Sequence, residues 1–228
     1  MDRLRAVWLV AAVGAVAIWA GGCSDTDSKL SSEDPTDRME ALRRLAASNS
    51  DKAVAKIVEA TEHADPGTAR EAVWALARSG RARAQEALAE VAGGAKRPKV
   101  REAAVMALGE QHTPASVEAL RKVLRSERDG HVRAEAAAAL GKVGDLDDVA
   151  LLVDVASSAD SVGVESAAVG SIQRLLTVDF QYQASDPVEK RRETLDRIRQ
   201  QAPGFVAFMK RVRATRERLA AEGRTDVH

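Results

Sequence analysis

The amino-acid sequence predicts an all-α fold, an α-α superhelix of antiparallel helix pairs that ends in an atypical C-terminal helical cap. A twelve-residue motif, clearest at Pro98–Gly109 (PKVREAAVMALG), recurs at Gly130–Gly141 and more weakly at Pro66–Ala77. The large apolar residue near the end of the motif recurs at spacings of 31 (76 − 45), 32 (108 − 76), 32 (140 − 108) and 32 (172 − 140) residues, as Leu45, Leu76, Leu108, Leu140 and Ile172. A fixed period of this size is typical of repeat arrays.

Composition supports closely packed helices. Hydrophobic residues make up 45% of the chain but aromatic residues only 3%, so the core must be built from Ala, Leu and Val. No segment shows sustained alternation of apolar and polar residues, and we therefore expect no sheet. The 34 basic residues balance the 34 acidic ones, which removes the bulk electrostatic argument for nucleic acid as a partner.

Charge is distributed unevenly along the chain. Residues 24–186 carry 21 Lys and Arg against 27 Asp and Glu, a net of −6, whereas residues 187–228 carry 11 against 6, a net of +5. A basic C-terminal segment fits docking on an acidic surface or on anionic lipid. The commoner alternative is a solvated helix face, and this is the interpretation that we prefer from the sequence.

The N-terminus has the pattern of an export signal. Arg3 and Arg5 precede an uninterrupted apolar run of 15 residues, Ala6–Ala20, and small residues follow. This predicts a signal peptide over residues 1–22. The run is shorter than the roughly 20 apolar residues that span a bilayer.

The only cysteine of the chain, Cys23, directly follows Ala20-Gly21-Gly22 and has no partner for an intramolecular disulfide. The stretch resembles a bacterial lipobox, with Ala20 where that motif usually has Leu. The resemblance implies lipidation of Cys23 and an envelope protein that faces the periplasm. Ser24–Glu33 is rich in Ser and Asp and has no apolar periodicity, so residues 23–33 are predicted to be the lipidated Cys and a polar tether. By the sorting rule of such lipoproteins, Ser24 favours the outer membrane over the inner one. A signal peptidase that releases a soluble secreted protein is the alternative.

Helix starts are marked by Asp-Pro pairs at Asp34-Pro35, Asp65-Pro66 and Asp186-Pro187, with Arg97-Pro98 and Asp129-Gly130 as variants. An Asp side chain accepts hydrogen bonds from the free amides of the first turn, and Pro is tolerated there because it lacks an amide hydrogen. Helices of opposite direction are predicted between them, at about Asp51–Glu62, Ala82–Ala92, Pro114–Ser126 and Asp147–Ala156. Within each Asp-Pro helix an alanine recurs in register, which predicts close helix packing: Ala41, Ala72, Ala104, Ala136 and Ala168.

The pattern Asp-Pro-x-Val-Arg-x-x-Ala-x-x-Ala-Leu-Gly at this period resembles HEAT repeats, specifically the short bacterial type also seen in phycobilin lyases. The resemblance covers residues 34–178 and implies a HEAT-like solenoid of stacked helix pairs. The family's arginine is present as Arg38, Arg101 and Arg133. It is replaced by Ala69 and Glu165 in the second and fifth copies, so we expect any ladder of arginines between repeats to be broken there.

The period fails after Ile172, and residues 179–228 are predicted to form a C-terminal helical cap and tail. A short loop, Val178–Ser185, is followed by two helices, about Val188–Gln201 and Gly204–Glu222, separated by Ala202-Pro203. Terminal repeats cover the open end of the stack and are usually atypical. The aromatic residues of this region are expected to fill space in the cap: Phe180, Tyr182, Phe205 and Phe208.

No catalytic constellation is recognisable, so the sequence predicts neither an enzyme nor a cofactor or metal site. The histidines stand singly, and no nucleophile has a base at a fixed short spacing. Asp145, Asp147 and Asp148 could bind a cation, but at the start of a helix they more simply favour the positive end of its dipole.

The outward surface of the Asp-Pro helices remains as the candidate site, because in the arrays that the sequence resembles these helices line the concave face. Trp74 and Met106 occupy equivalent outward positions in adjacent repeats, and Glu71, Arg78 and Glu110 surround them. This composition is typical of a protein-binding hot spot. The alternative is that Trp74 leans across small neighbours and is partly buried. The mixed charges oppose a phosphate-backbone track.

These observations predict a monomeric, non-catalytic scaffold that binds protein partners and is anchored to the membrane by lipid on Cys23. Two other classes stay open. A chromophore or cofactor lyase follows from the resemblance to bilin lyases, although no reactive residue supports it. A nucleic-acid binder like HEAT-type glycosylases is opposed by the export signal and the mixed charges.

Overall fold

The computed structural model of the chain describes residues 25–48 and 50–222. They fall into two compact units, one within Met1–Leu88 and the other within Ala89–His228. The described residues form helices joined by short loops and contain no strand, which confirms the all-α prediction. The α-helices are α1 (Pro35–Ala47), α2 (Asp51–Ala60), α3 (Pro66–Ser79), α4 (Ala82–Gly94), α5 (Pro98–Gly109), α6 (Pro114–Ser126), α7 (Gly130–Val143), α8 (Val149–Ser157), α9 (Val162–Leu176) and α10 (Val188–Ala221), with a 3-10 turn at Leu146–Asp148 before α8.

The predicted Asp caps are confirmed at three helix starts. Asp34 accepts a hydrogen bond from the Thr36 amide at 2.8 Å, and Asp129 accepts from the amides of the first turn of α7. Asp65 accepts from both the hydroxyl and the amide of Thr68, which hold the pKa of Asp65 below its usual range. Asp186 does not cap α10: Pro187 occupies the cap position, and Asp186 pairs with Lys190 instead.

The first described residues differ from the predicted polar tether. Residues 25–30 are helical, and their charged side chains pair with the first unit. Asp25 bonds to Arg44 at 2.7 Å, Lys29 bonds to Glu40 at 2.6 Å, and Asp27 pairs with a lysine of α2. This helix is held by ion pairs and not by apolar contacts, so its sequence is polar. It has no apolar periodicity from which a packed helix could be predicted.

The repeat positions lie in the core as predicted. The five registered alanines, from Ala41 to Ala168, are all 0% exposed. The periodic large residues, from Leu45 to Ile172, are buried as well. The period of about 32 residues therefore reflects packing. The first helix of each repeat (α1, α3, α5, α7 and α9) contributes one alanine and one large apolar residue to the core.

The first helices of the second unit, α5, α7 and α9, pack side by side at short range. A Cβ atom on Gly109 would lie 2.9 Å from the Cβ of Ala139, and one on Gly141 would lie 2.5 Å from the Cβ of Ser171. The Ser171 hydroxyl donates to the carbonyl of Ala137 at 2.8 Å across the α7–α9 contact. Small residues at these positions are thus required by the distance between helices.

The C-terminal region forms one helix rather than the two predicted. α10 runs continuously through Pro203, although an interior proline removes one helical hydrogen bond and costs about 3 kcal/mol. Ile198 and Ala202, both 1% exposed, precede the proline on the packed side, and the half-buried Phe205 continues that side after it by contacting Phe180. Packing on both sides of Pro203 therefore offsets the local loss.

The predicted aromatic filling of the cap is correct for Phe180 and wrong for Phe208. Phe180 is buried and meets Phe205 edge to face, with ring centroids 5.9 Å apart. Phe208 is 55% exposed. Because α10 is continuous, Phe208 lies about 60° around the helix from Phe205, on the side turned away from the core.

Ion pairs between successive repeats follow a common spacing. Arg38 bonds to Asp65, 27 residues later, and Arg101 bonds to Glu127, 26 residues later, through two nitrogens at 2.7 and 3.0 Å. After Arg133, the position 26 residues later is an alanine and the position 27 residues later is Asp160. The buried Nε of Arg133 nevertheless donates no hydrogen bond within the described residues.

The fifth copy reverses the polarity of the pair. Glu165 stands where the family has arginine, and Arg191, 26 residues later in α10, donates to it at 3.0 Å. Tyr182 also donates to Glu165 at 2.8 Å, and burial together with this carboxylate raises the pKa of Tyr182 above its ordinary value. The ladder is therefore completed at Glu165 by the cap, where the sequence predicts a break.

Candidate functional site

The predicted lipidation site, Cys23, lies outside the described residues. Among the residues that the structure does describe, no helix is both long and apolar enough to cross a membrane.

In the first unit, the predicted site residues of α3 form one cluster, which we call the Trp74 cluster (Glu71, Trp74 and Arg78). Trp74 is half-buried, as the alternative interpretation expects. Arg78 donates to Glu71 at 2.6 Å, so the ion pair spans two turns of the helix face on which Trp74 lies. Arg78 stays half-exposed and Glu71 less so. The cluster therefore offers part of an aromatic ring with a charged rim.

In the second unit, Met106 is 43% exposed on the outward side of α5. Its equivalents one and two repeats later are Ala138 on α7 and Gly170 on α9, and we call these three residues the Met106 row. Glu110, at the end of α5, accepts a hydrogen bond from Lys142 of α7 at 3.3 Å, and both side chains are at least half exposed. The row therefore consists of one protruding thioether, that of Met106, followed by a shallow strip at Ala138 and Gly170, where the side chain is small or absent.

Gly170 is the residue of this row that sequence reasoning did not single out. A Cβ atom placed there would meet nothing within 4 Å, and its backbone lies in the ordinary helical region. An interior glycine makes a helix less stable than alanine by roughly 0.5–1 kcal/mol. Neither a neighbouring helix nor backbone conformation accounts for this cost, which distinguishes Gly170 from Gly109 and Gly141.

Charges around the Met106 row are mixed, as predicted. Glu102 is paired with Lys99 at 2.7 Å near the start of α5, while Lys142 and Arg174 lie toward the ends of α7 and α9. The face therefore has no continuous track of one sign. A partner of mixed charge fits it better than a phosphate backbone.

The acidic group at the start of α8 serves the fold. Asp145 accepts from the Asp147 amide, Asp147 pairs with Lys210, and Asp148 is bound by Arg121 through two nitrogens at 2.6 and 3.1 Å. Within the described part of the chain, no group of three His, Cys, Asp or Glu residues could hold a metal ion.

A cavity of about 510 Å³ lies between α8 and α10 in the second unit. Its walls are mostly apolar, and the Asp147–Lys210 ion pair lies at its rim; the apolar lining residues include Val149, Ala150, Val153, Ala202, Pro203 and Val206. The cavity lies beneath the middle of α10, where the buried Ala202 forms part of its wall.

The comparison with protein families agrees with the fold. A family model described as HEAT repeats matches residues 28–98 and 94–173. An engineered protein solved by a structural genomics consortium is 21% identical, with a TM-score of 0.43 over 79% of this chain and 96% of its own. A designed armadillo repeat protein is 19% identical, with a TM-score of 0.45 over 79% of this chain and 98% of its own. No curated protein matches the chain significantly.

Proposed function

Because the chain belongs to the family of HEAT-repeat proteins, we propose that it is a non-catalytic scaffold that binds other proteins through the outward side of its first helices. The observation that supports this assignment most directly is the Met106 row. Met106 is exposed, and Gly170 keeps open a strip that no internal contact requires to be open. A flexible thioether beside a strip without side chains accommodates a helix or an extended segment at close range.

The Trp74 cluster supports the same role in the first unit. A half-buried indole beside a charged pair has the composition of a recognition hot spot, in which an aromatic anchor is surrounded by groups that exclude water. Each unit therefore carries its own candidate contact, and the two contacts are tested separately.

Photo-crosslinking identifies the partner and tests the surface. A crosslinking amino acid at Met106 is expected to capture a protein in the native envelope, whereas one at Val117, half-buried on the second helix α6, is not. With that partner in hand, Met106→Ala should weaken binding about tenfold because it removes an exposed anchor. Val117→Ala is the matched control and should leave the affinity unchanged. Equal affinities for Met106→Ala and wild type, at equal stability, would sink the assignment.

We further propose that lipid on Cys23 anchors the scaffold in a bacterial envelope, on the periplasmic side. The support is the sequence alone: a charged start, 15 apolar residues and a single cysteine at the expected cleavage point. Radiolabelled palmitate is expected to label the wild-type chain and not Cys23→Ser. Label that persists in Cys23→Ser, or that is absent from the wild type, contradicts the anchor without touching the binding surface.

A further inference from the structure

The C-terminal half of α10 carries an apolar stripe that the described residues of the second unit leave exposed or only partly covered. Phe208, Val212 and Leu219 fall within about 40° of one another around the helix. Phe208 is 55% exposed, and from Arg211 to Glu222 every residue is exposed except the partly covered Val212 and Leu219. An amphipathic pattern on a helix that is exposed all round calls for a binding partner.

This stripe is distinct from the side of α10 that packs on the fold. The packed side is marked by Ile198, Ala202 and Val206, and its direction differs from that of the stripe by about 100°. The ion pair of Lys210 with Asp147 is at the rim of the cavity beneath α10. Beyond it, the described ion pairs of α10 are internal to the helix: Arg213 with Glu217 and Arg218 with Glu222.

The unpaired cations lie beside the stripe. Arg211 and Arg216 flank it on opposite sides, about 80° and 60° from its centre, and neither forms an ion pair within the described residues. Glu217 points away from the stripe and is occupied by Arg213 at 3.0 Å. Residues 204–222 carry five cations (Lys210, Arg211, Arg213, Arg216 and Arg218) against two acids (Glu217 and Glu222), a net of +3.

We propose that the C-terminal half of α10 lies on the surface of an anionic lipid bilayer, with the stripe at the boundary between headgroups and acyl chains. An apolar side that contains Phe and Leu, bordered by arginines, is the pattern of helices that bind in the plane of the interface. The arginine stems can follow the apolar side inward while the guanidinium groups bind lipid phosphates. This is a second membrane contact, separate from Cys23, and it does not depend on lipidation.

Two other occupants fit less well. A second copy would bring two segments of net +3 together, and like charges repel at such an interface. A folded protein partner of ordinary affinity buries about 800 Å² on each side, from 20 to 30 residues. The stripe offers three apolar residues on one cylinder, which is small for a protein interface and sufficient for a helix whose cations contribute the remaining attraction.

Face-specific photo-crosslinking tests the proposal in the full chain. A crosslinker at Val212 is expected to give lipid adducts in vesicles of phosphatidylcholine with about 30% phosphatidylglycerol, and few in phosphatidylcholine alone. A crosslinker at Ala214, about 140° from the centre of the stripe, is the matched control and should give none. Because the readout is local, attachment of the N-terminal segment to the same vesicles does not affect it.

Charge variants complete the test. Arg211→Gln with Arg216→Gln should lower the local docking constant about 30-fold, since each cation near an anionic surface is worth about fivefold. Lys122→Gln with Arg125→Gln removes the same charge from exposed positions of α6 and should change nothing. Adducts in the envelope to a protein or to a second copy, equal lipid yields at Val212 and Ala214, or indifference to the α10 arginines would each overturn the proposal. None of these outcomes bears on the Met106 row.

Discussion

Arg121→Ala is expected to lower the free energy of unfolding of the second unit by about 3 kcal/mol, because it leaves a buried carboxylate without its counter-ion. Asp148 is 1% exposed and receives both donors of the Arg121 fork. These bonds raise the pKa of Arg121 above its ordinary value. Arg121 itself is about a quarter exposed, and for that reason we place the loss at the lower end of the range for broken buried pairs.

The loss is measured by hydrogen exchange of the amides of α6 and α8. Tryptophan fluorescence is unsuitable, because Trp74 lies in the first unit and would report the unfolding of that unit. Arg125→Ala, an exposed arginine one turn later on α6, is the matched control and should cost less than about 0.5 kcal/mol. Combining Arg121→Ala with Asp148→Asn should cost less than the sum of the two single losses, because the second change removes the stranded charge. An additive pair, or a loss at Arg121 no larger than at Arg125, would show that the buried pair does not stabilise this unit.

The regular part of the fold is predictable from the sequence because its rule repeats. Ala104 and Leu108 have equivalents one period away in either direction, and each prediction of burial is tested against four sister positions. Ion pairs at 26 or 27 residues follow the same rule at Arg38 and Arg101, although not at Arg133, whose buried Nε donates no hydrogen bond within the described residues. Because the pattern recurs at a fixed spacing, equivalent residues of successive repeats make equivalent contacts, and these contacts can be predicted from the sequence.

The parts that the sequence misses are those in which one element meets a unique neighbour. Glu165 breaks the arginine rule, and its partner Arg191 comes from the cap, where no periodicity remains to point to it. Pro203 lacks an amide hydrogen and therefore predicts a helix end. In the structure, packing on both sides of Pro203 keeps α10 continuous. Phe208 is aromatic and therefore resembles a core residue, yet its direction on α10 depends on that continuity.

Glycine positions separate packing from function in this array, and Gly141→Ala should be strongly destabilising. A Cβ atom there would lie 2.3 Å from Ser171 Oγ and 2.9 Å from Ser171 Cα, so α7 and α9 must move apart. Overpacking of this kind costs about 3 kcal/mol. The better helix propensity of alanine offsets about 1 kcal/mol of this cost. The free energy of unfolding should therefore fall by about 2 kcal/mol, as measured by chemical denaturation that is followed by hydrogen exchange of α7 and α9.

Gly170→Ala, one residue before Ser171 on the facing helix, is the control and should have the opposite sign. Its Cβ atom meets open space, so only the helix propensity changes, and the unit should gain roughly 0.5–1 kcal/mol. A loss of stability at Gly170, or a gain at Gly141, would contradict the close approach of α7 and α9. If the Met106 row binds a partner as proposed, the same Gly170→Ala chain should bind it more weakly while being more stable. A glycine kept at a cost to the helix is then explained by the partner that approaches it.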